Sequence, residues 1–217
     1  MPELSGPFRA PSSGAAPDSL VVLLHGIGAD GNDLIGLAGM LAPRFPNTAF
    51  HSPNAPEPFA DAPFGFQWFP RRPLGDRAER VRGAETLVNA YIDGLLDAYA
   101  LAPERCVLVG FSQGCMTALH TAPRRAAQLA GVVGMSGGLI TAGTLEAEAK
   151  SRPPVILIHG DADQVVDPVE TAEAGKAFAA LGFEVEAHIL PGLGHGIDYR
   201  ALDLAAGFIE RVLGQRR

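Results

Sequence analysis

The sequence predicts an α/β fold, a mostly parallel central sheet with helices on both faces. Two patterns carry this expectation. Short β-branched runs without polar alternation recur along the chain, as in strands buried on both faces. Segments of helical period separate them, and strand alternating with helix is the mark of parallel pairing with crossover helices. A length of 217 residues suits one such domain spanning 1–217, with enough core to fold without disulfides or metal.

In chain order, residues 1–18 read as a loose or edge-strand segment. Leu20–Leu24 (LVVLL) is the first buried strand, Asp33–Leu41 the first helix and Thr48–His51 a weaker strand. Residues 53–73 (PNAPEPFADAPFGFQWFPRRP) are too apolar for a solvated linker and too rich in proline for a helix. A loop of that length in a compact domain is more often functional than idle. Its Phe64, Phe66, Trp68 and Phe69 suit either the wall of an apolar pocket, the preferred reading, or a loop tucked onto the core. Val81, Ala84, Leu87, Val88, Tyr91, Ile92, Leu95, Leu96 and Tyr99 then form one helical stripe. Cys106–Val109 (CVLV), Val132–Met135 (VVGM) and Val155–Ile158 (VILI) are further buried strands, interleaved with helices at Gln113–Ala122 and Pro168–Leu181. Glu184–Leu190 (EVEAHIL) alternates, which places it nearer an edge with His188 on the more polar side, and Tyr199–Leu213 closes the chain as a helix.

Composition excludes several classes. With 17 basic against 24 acidic residues the net charge is −7, wrong for a nucleic-acid binder or a polybasic membrane clamp. No apolar run approaches the roughly 18 residues that cross a bilayer, so no stable membrane insertion is expected. The start, MPELSGPFRAPSSG, has no basic stretch followed by an apolar one, so no signal peptide is expected. Cys106 and Cys115 form no CxxC pair and read as reduced core thiols of a cytoplasmic protein.

The strongest chemical signal is Gly110-Phe111-Ser112-Gln113-Gly114, a G-x-S-x-G directly after CVLV and directly before a helical run. A sharp strand-to-helix turn lifts the serine hydroxyl above the sheet, and the glycines leave room around it. Serine needs a base to take its proton and a third group to orient that base, here in the order Ser, Asp or Glu, His. His25, His51 and His120 come too early or too close to the turn, His159 ends a strand ahead of any acid, and His188 lies mid-strand. His195, in the glycine-rich loop before the last helix, is left as the base. For the acid, Asp163 is favoured and Asp161 is the runner-up. Asp167, before Pro168, reads as the cap of the next helix. Backbone donors for an oxyanion are expected at Gln113 and, in the loop after LVVLL, at Ile27.

That loop also contains Gly26-x-Gly28-x-x-Gly31, a dinucleotide fingerprint after a strand. The fingerprint needs an acidic residue about 20 positions on to hold a ribose. The place holds Phe50-His-Ser-Pro-Asn-Ala-Pro56, without a carboxylate, so no organic cofactor is expected, and no metal.

Taken together, LLHGIGADGNDL, PNAPEP, QWFP, GFSQG, MSGGL, HGDADQVV and GLGHGI resemble the carboxylesterase, lysophospholipase and acyl-protein thioesterase family of small α/β-hydrolases, over roughly Leu20 to Leu213. The resemblance implies an α/β-hydrolase fold without a large cap domain. It also implies Ser112 as nucleophile, Asp163 as acid, His195 as base, and oxyanion donors on Ile27 and Gln113. It sets Phe66, Trp68 and Phe69 near the acyl pocket. The implied activity is hydrolysis of carboxylic esters, thioesters or lysophospholipids through an acyl-serine, with short to medium acyl chains favoured by an open site. An amidase or dienelactone-type hydrolase is the alternative on the same fold, and a non-catalytic binding protein the alternative of another class. The expected partner is a small ester or thioester, and apolar residues between Phe59 and Phe69 permit a homodimer without requiring one. Three positions depart from the family pattern. Cys115 stands where a glycine usually follows the elbow, leaving a small apolar thiol one turn from the site and the question of redox sensitivity open. Asp167 stands where proline is frequent, and Ile27 where leucine is commoner.

Overall fold

The computed structural model describes residues 3–70 and 77–214. Residues 1–2 of the N-terminal segment and 71–73 of the aromatic loop lie outside the described residues. Strands β1 (Phe8–Arg9), β2 (Ser19–Leu24), β3 (Thr48–His51), β6 (Cys106–Phe111), β7 (Gly131–Met135), β8 (Val155–Gly160) and β9 (Val185–Leu190) form one sheet in the order β1-β3-β2-β6-β7-β8-β9. Every neighbouring pair is parallel except β1 with β3. A separate hairpin, β4 (Glu57–Pro58) and β5 (Phe66–Gln67), rises from the aromatic loop.

Among the described residues the α-helices are α1 (Gly31–Leu41), α2 (Arg77–Tyr99), α3 (Gln113–Arg124), α4 (Ala142–Glu148), α5 (Val169–Ala180) and α6 (Tyr199–Leu213). Alternation along the strands explains their placement, because successive side chains point to opposite faces. Leu20, Val22 and Leu24 join Val81, Val88, Leu119 and Phe178 of α2, α3 and α5 in one buried cluster. Val21 and Leu23 join Leu34, Leu37, Leu202 and Phe208 of α1 and α6 in the other. This is the α/β-hydrolase architecture, and among the described residues no helical insertion forms a cap over it. Nor is any described helix long and apolar enough to cross a membrane.

The predicted elements are present with small boundary shifts. β8 runs on through His159 and Gly160, and α1 begins at Gly31, capped by Asp30, whose Oδ1 accepts the Asn32 amide at 2.8 Å. The alternating strand β9 lies at the sheet edge. Helix α4 and the β4–β5 hairpin are additions to the sequence reading.

Candidate active site

Parallel strands bring their carboxyl ends to one rim, and loops there hold ligands in open α/β sheets. The turn after β6 carries Ser112, the loop after β8 carries Asp163, and the loop after β9 carries His195. Ser112 has φ 54° and ψ −117°, a conformation that side-chain-bearing residues rarely adopt. The turn is tight because α3 starts against β2: a Cβ on Gly114 would lie 2.0 Å from the Leu24 carbonyl oxygen. Only glycine fits there.

His195 Nε2 lies 3.1 Å from Ser112 Oγ, and His195 Nδ1 lies 2.7 Å from Asp163 Oδ2. A carboxylate accepts only, so Nδ1 carries the proton and the Nε2 lone pair faces the serine hydroxyl. The Asp163 side chain is fully buried, whereas His195 keeps 18% exposure. Burial acts to raise the Asp163 pKa, but bonds from His195 and the Val166 and Val165 amides outweigh it, and the carboxyl is held below its ordinary value. The acid therefore stays ionised. Phe111 packs beside the imidazole with ring centroids 4.9 Å apart.

The other two carboxylates serve the backbone. Asp161 Oδ1 accepts the Gly192 amide at 2.7 Å, closing the turn before the histidine loop. Asp167 Oδ1 accepts the Val169 amide at 2.9 Å at the start of α5, as a cap does.

The loop after β2 runs alongside the serine, where a Cβ on Gly26 would come within 3.3 Å of Ser112 Cβ. Among the described residues the Ile27 amide has no acceptor, and the Gln113 amide is at the first position of α3, where helices leave donors unpaired. The hairpin clamps this loop: Gly28 N–H donates to Phe66 O, and Phe66 N–H to Ala29 O, both at 2.8 Å. Gln113 ties the hairpin to the serine turn, its Oε1 accepting the Trp68 amide at 2.8 Å and its Nε2 donating to Phe69 O at 2.7 Å. Trp68 Nε1 donates to His25 O at 2.8 Å.

These bonds place the aromatic residues differently from the pocket wall read in the sequence. Trp68 and Phe69 are 1% and 5% exposed and belong to the core, because indole and phenyl pack behind the loop while their backbone bonds hold it. Phe66 is half-buried and Phe64 is 76% exposed.

A family model described as phospholipase/carboxylesterase matches residues 9–213. The chain belongs to that family. An acyl-protein thioesterase 1 from Mycosarcoma maydis is 30% identical over 94% of this chain and 95% of its own. Esterase YpfH of Escherichia coli (strain K12) is 25% identical over 91% of this chain and 84% of its own. The crystal structure of esterase PE8 superposes with a TM-score of 0.92 at 41% identity, covering 97% of this chain and 100% of that one.

At the departures from the phospholipase/carboxylesterase pattern, the structure is specific. The Cys115 thiol is fully buried against Gly134 and Gly137, and burial pushes its pKa up to about 12. It stays a thiol, and oxidants react with exposed thiolates, so its burial speaks against sensitivity at this position. Two residues had no assigned role. His25 Nδ1 donates to Gly26 O at 2.7 Å and its Nε2 accepts the Ala55 amide at 3.0 Å, bracing the loop that carries Ile27. Asn54 Oδ1 accepts the Gly31 amide at 2.8 Å at the same loop's end. Their adjacency to the glycine-rich loop and their place in PNAPEP were the available signals. Among the described residues, no group of three or more His, Cys, Asp or Glu side chains is arranged to hold a metal.

Proposed function

We propose that this protein is a carboxylic ester hydrolase, acting on oxygen esters and thioesters through an acyl-serine, with Ser112 as nucleophile, His195 as base and Asp163 as acid. The observation that carries the reading is the unbroken relay from Ser112 Oγ through both His195 nitrogens to Asp163, at 3.1 and 2.7 Å. Ser112 Oγ attacks the acyl carbon and its proton passes to His195 Nε2. The Ile27 and Gln113 amides receive the oxyanion, and the tetrahedral adduct collapses as His195 protonates the departing alcohol or thiol. Water, deprotonated by His195, then attacks the acyl-serine; the second adduct collapses with cleavage of its bond to Ser112 Oγ, which takes the proton back from His195 as the carboxylic acid leaves. Asp163 stays ionised and stabilises the imidazolium. The half-buried Phe66, next to the oxyanion loop, is the apolar residue we assign to the acyl chain; Trp68 and Phe69 support it from behind. Among the described residues no helical insertion covers the rim, and short to medium chains fit such an open site best.

The thioester part rests on relatives named acyl-protein thioesterase, and the same steps serve both leaving groups. Fluorophosphonate labelling and a panel of p-nitrophenyl esters, with Ser112→Ala as blank, test the proposal. Stoichiometric labelling lost in Ser112→Ala, with rates peaking at short to medium chains, is expected. No labelling of the folded protein overturns the serine mechanism, and turnover of amides with none of esters overturns the substrate class.

A further inference from the structure

Asp163 is held from two sides. Its Oδ1 accepts the Val165 and Val166 amides at 2.8 and 3.0 Å, and its Oδ2 is shared by two histidines: His195 Nδ1 at 2.7 Å and His159 Nε2 at 3.0 Å. His159 is wholly buried at the end of β8, and the Asp163 side chain beside it has no exposure. The second partner of His159 Nε2 is the Val166 carbonyl at 3.1 Å. Both neighbours of that nitrogen are acceptors, so Nε2 must carry a proton. On the other side Nδ1 meets Thr171 Oγ1 at 2.6 Å, a hydroxyl oxygen that also lies 2.9 Å from Gly137 O. The ring is thus fixed at both nitrogens, by the acid loop and by α5. Among the described residues, Asp163 is the only ionisable group bonded to it.

We infer that His159 is a positioning residue of the catalytic relay, donating Nε2–H to Asp163 so that the carboxylate keeps its orientation toward His195 while yielding part of its charge. The inference rests on the hydrolase reading above. A donor on Oδ2 draws electron density from the oxygen that stabilises the His195 imidazolium. Removing that donor has two effects of different kinds. Asp163 loses one of four bonds and rotates more freely, so the relay is less often aligned. The full carboxylate charge then faces His195, and its protonated, inactive form persists to higher pH.

The test compares His159→Leu, His159→Gln and Thr171→Val. A glutamine amide reaches the position of Nε2 and restores the donor, whereas leucine supplies none. With p-nitrophenyl acetate, His159→Leu is expected to lose about 10- to 100-fold in kcat with little change in KM, the worth of one bond to a charged group. Its acidic limb of kcat/KM is expected to move up by about half a pH unit or more. His159→Gln is expected to recover most of the rate and the limb. Thr171→Val, which disturbs the same buried cluster without removing the Asp163 bond, is expected to lower stability and leave the limb in place. An unchanged limb and kcat in folded His159→Leu, or a glutamine variant no better than leucine, overturns the assignment.

Histidine-ring nitrogen NMR on the wild-type protein decides the point independently of turnover and of how the variants fold. A protonated His159 Nε2 whose signal shifts in Asp163→Asn supports the assignment; an unprotonated Nε2 overturns it. A wild-type protein that neither labels nor turns over sinks the hydrolase reading, and the NMR result still stands for or against the His159–Asp163 bond.

Discussion

Replacing Gln113 with methionine keeps the length and volume of the side chain, and its backbone amide, but removes both bonds it makes to the hairpin. Gln113 is 4% exposed and Trp68 1%, so water cannot substitute. The Trp68 amide and the Phe69 carbonyl, now bonded at 2.8 and 2.7 Å, are left buried without partners. At about 1–3 kcal/mol for each stranded group, the loss is about 2–6 kcal/mol. For a chain of this size about 1 kcal/mol lowers Tm by roughly 2–4 °C, so a fall of about 5 °C or more is expected. The hairpin also holds Gly28 and Ala29, the two residues that follow Ile27, the proposed oxyanion donor. Loosening it is expected to lower kcat by about tenfold with KM nearly unchanged, part of the 10²–10³ that losing an oxyanion donor costs. Thermal and urea denaturation, with ester kinetics on the same sample, measure both. A Gln113→Met protein with the wild-type Tm and kcat refutes the view that this side chain links the hairpin to the serine turn.

His51, between the Tyr99 and Tyr91 hydroxyls, is pushed by burial from 6.5 down to about 4. The unfolded chain therefore binds this proton first as pH falls, and stability full above pH 6.5 is lost toward pH 4, by about 3 kcal/mol. Urea midpoints across that range are expected to fall, and His51→Gln to flatten the slope. Cys106 and Cys115, both buried with thiols pushed up to about 12, are expected to resist iodoacetamide in the native protein and react in guanidinium, as read by mass. Because φ at Ser112 is 54°, Ser112→Gly is expected to melt above Ser112→Ala, by about 1 kcal/mol, as glycine relieves strain that alanine keeps. An alanine variant of equal stability counts against strain at this turn.

The buried strands and the serine turn were legible because each depends on local pattern. LVVLL, CVLV, VVGM and VILI are continuous apolar runs, and G-x-S-x-G between strand and helix has few other uses. The stripe from Val81 to Tyr99 became α2, with Val81, Val88 and Ile92 fully buried. Strands β4 and β5 were not legible: each spans two residues, and Pro58 in β4 reads as a breaker. The direction of Trp68 and Phe69 was not legible either. An aromatic cluster shows that apolar surface will be buried, but which side of a loop faces the sheet depends on backbone bonds made by Gln113, 44 and 45 residues away. The apolar run of β8 stops at Ile158, whereas the strand continues through His159 and Gly160. His159 is accommodated there only because Asp163, from the following loop, and Thr171, from α5, satisfy its ring.

Among the six histidines, chain order and hydrogen bonding both support His195 as the proposed base. His25 spends its nitrogens on Gly26 O and the Ala55 amide, His51 on two tyrosines, and His120 on Thr141 and Glu85. His159 spends its own on Asp163, Val166 and Thr171. His188 lies on the edge strand within 3.6 Å of Glu186, away from the serine turn. Each of the first four has both nitrogens committed to groups that hold the backbone or another helix. A proton accepted there would break a structural bond. His195 alone has one nitrogen fixed by a buried carboxylate and the other facing a serine hydroxyl, on a side chain that solvent still reaches. A general base needs that asymmetry: one side anchored so the ring cannot turn, the other with a lone pair free to take a proton and return it.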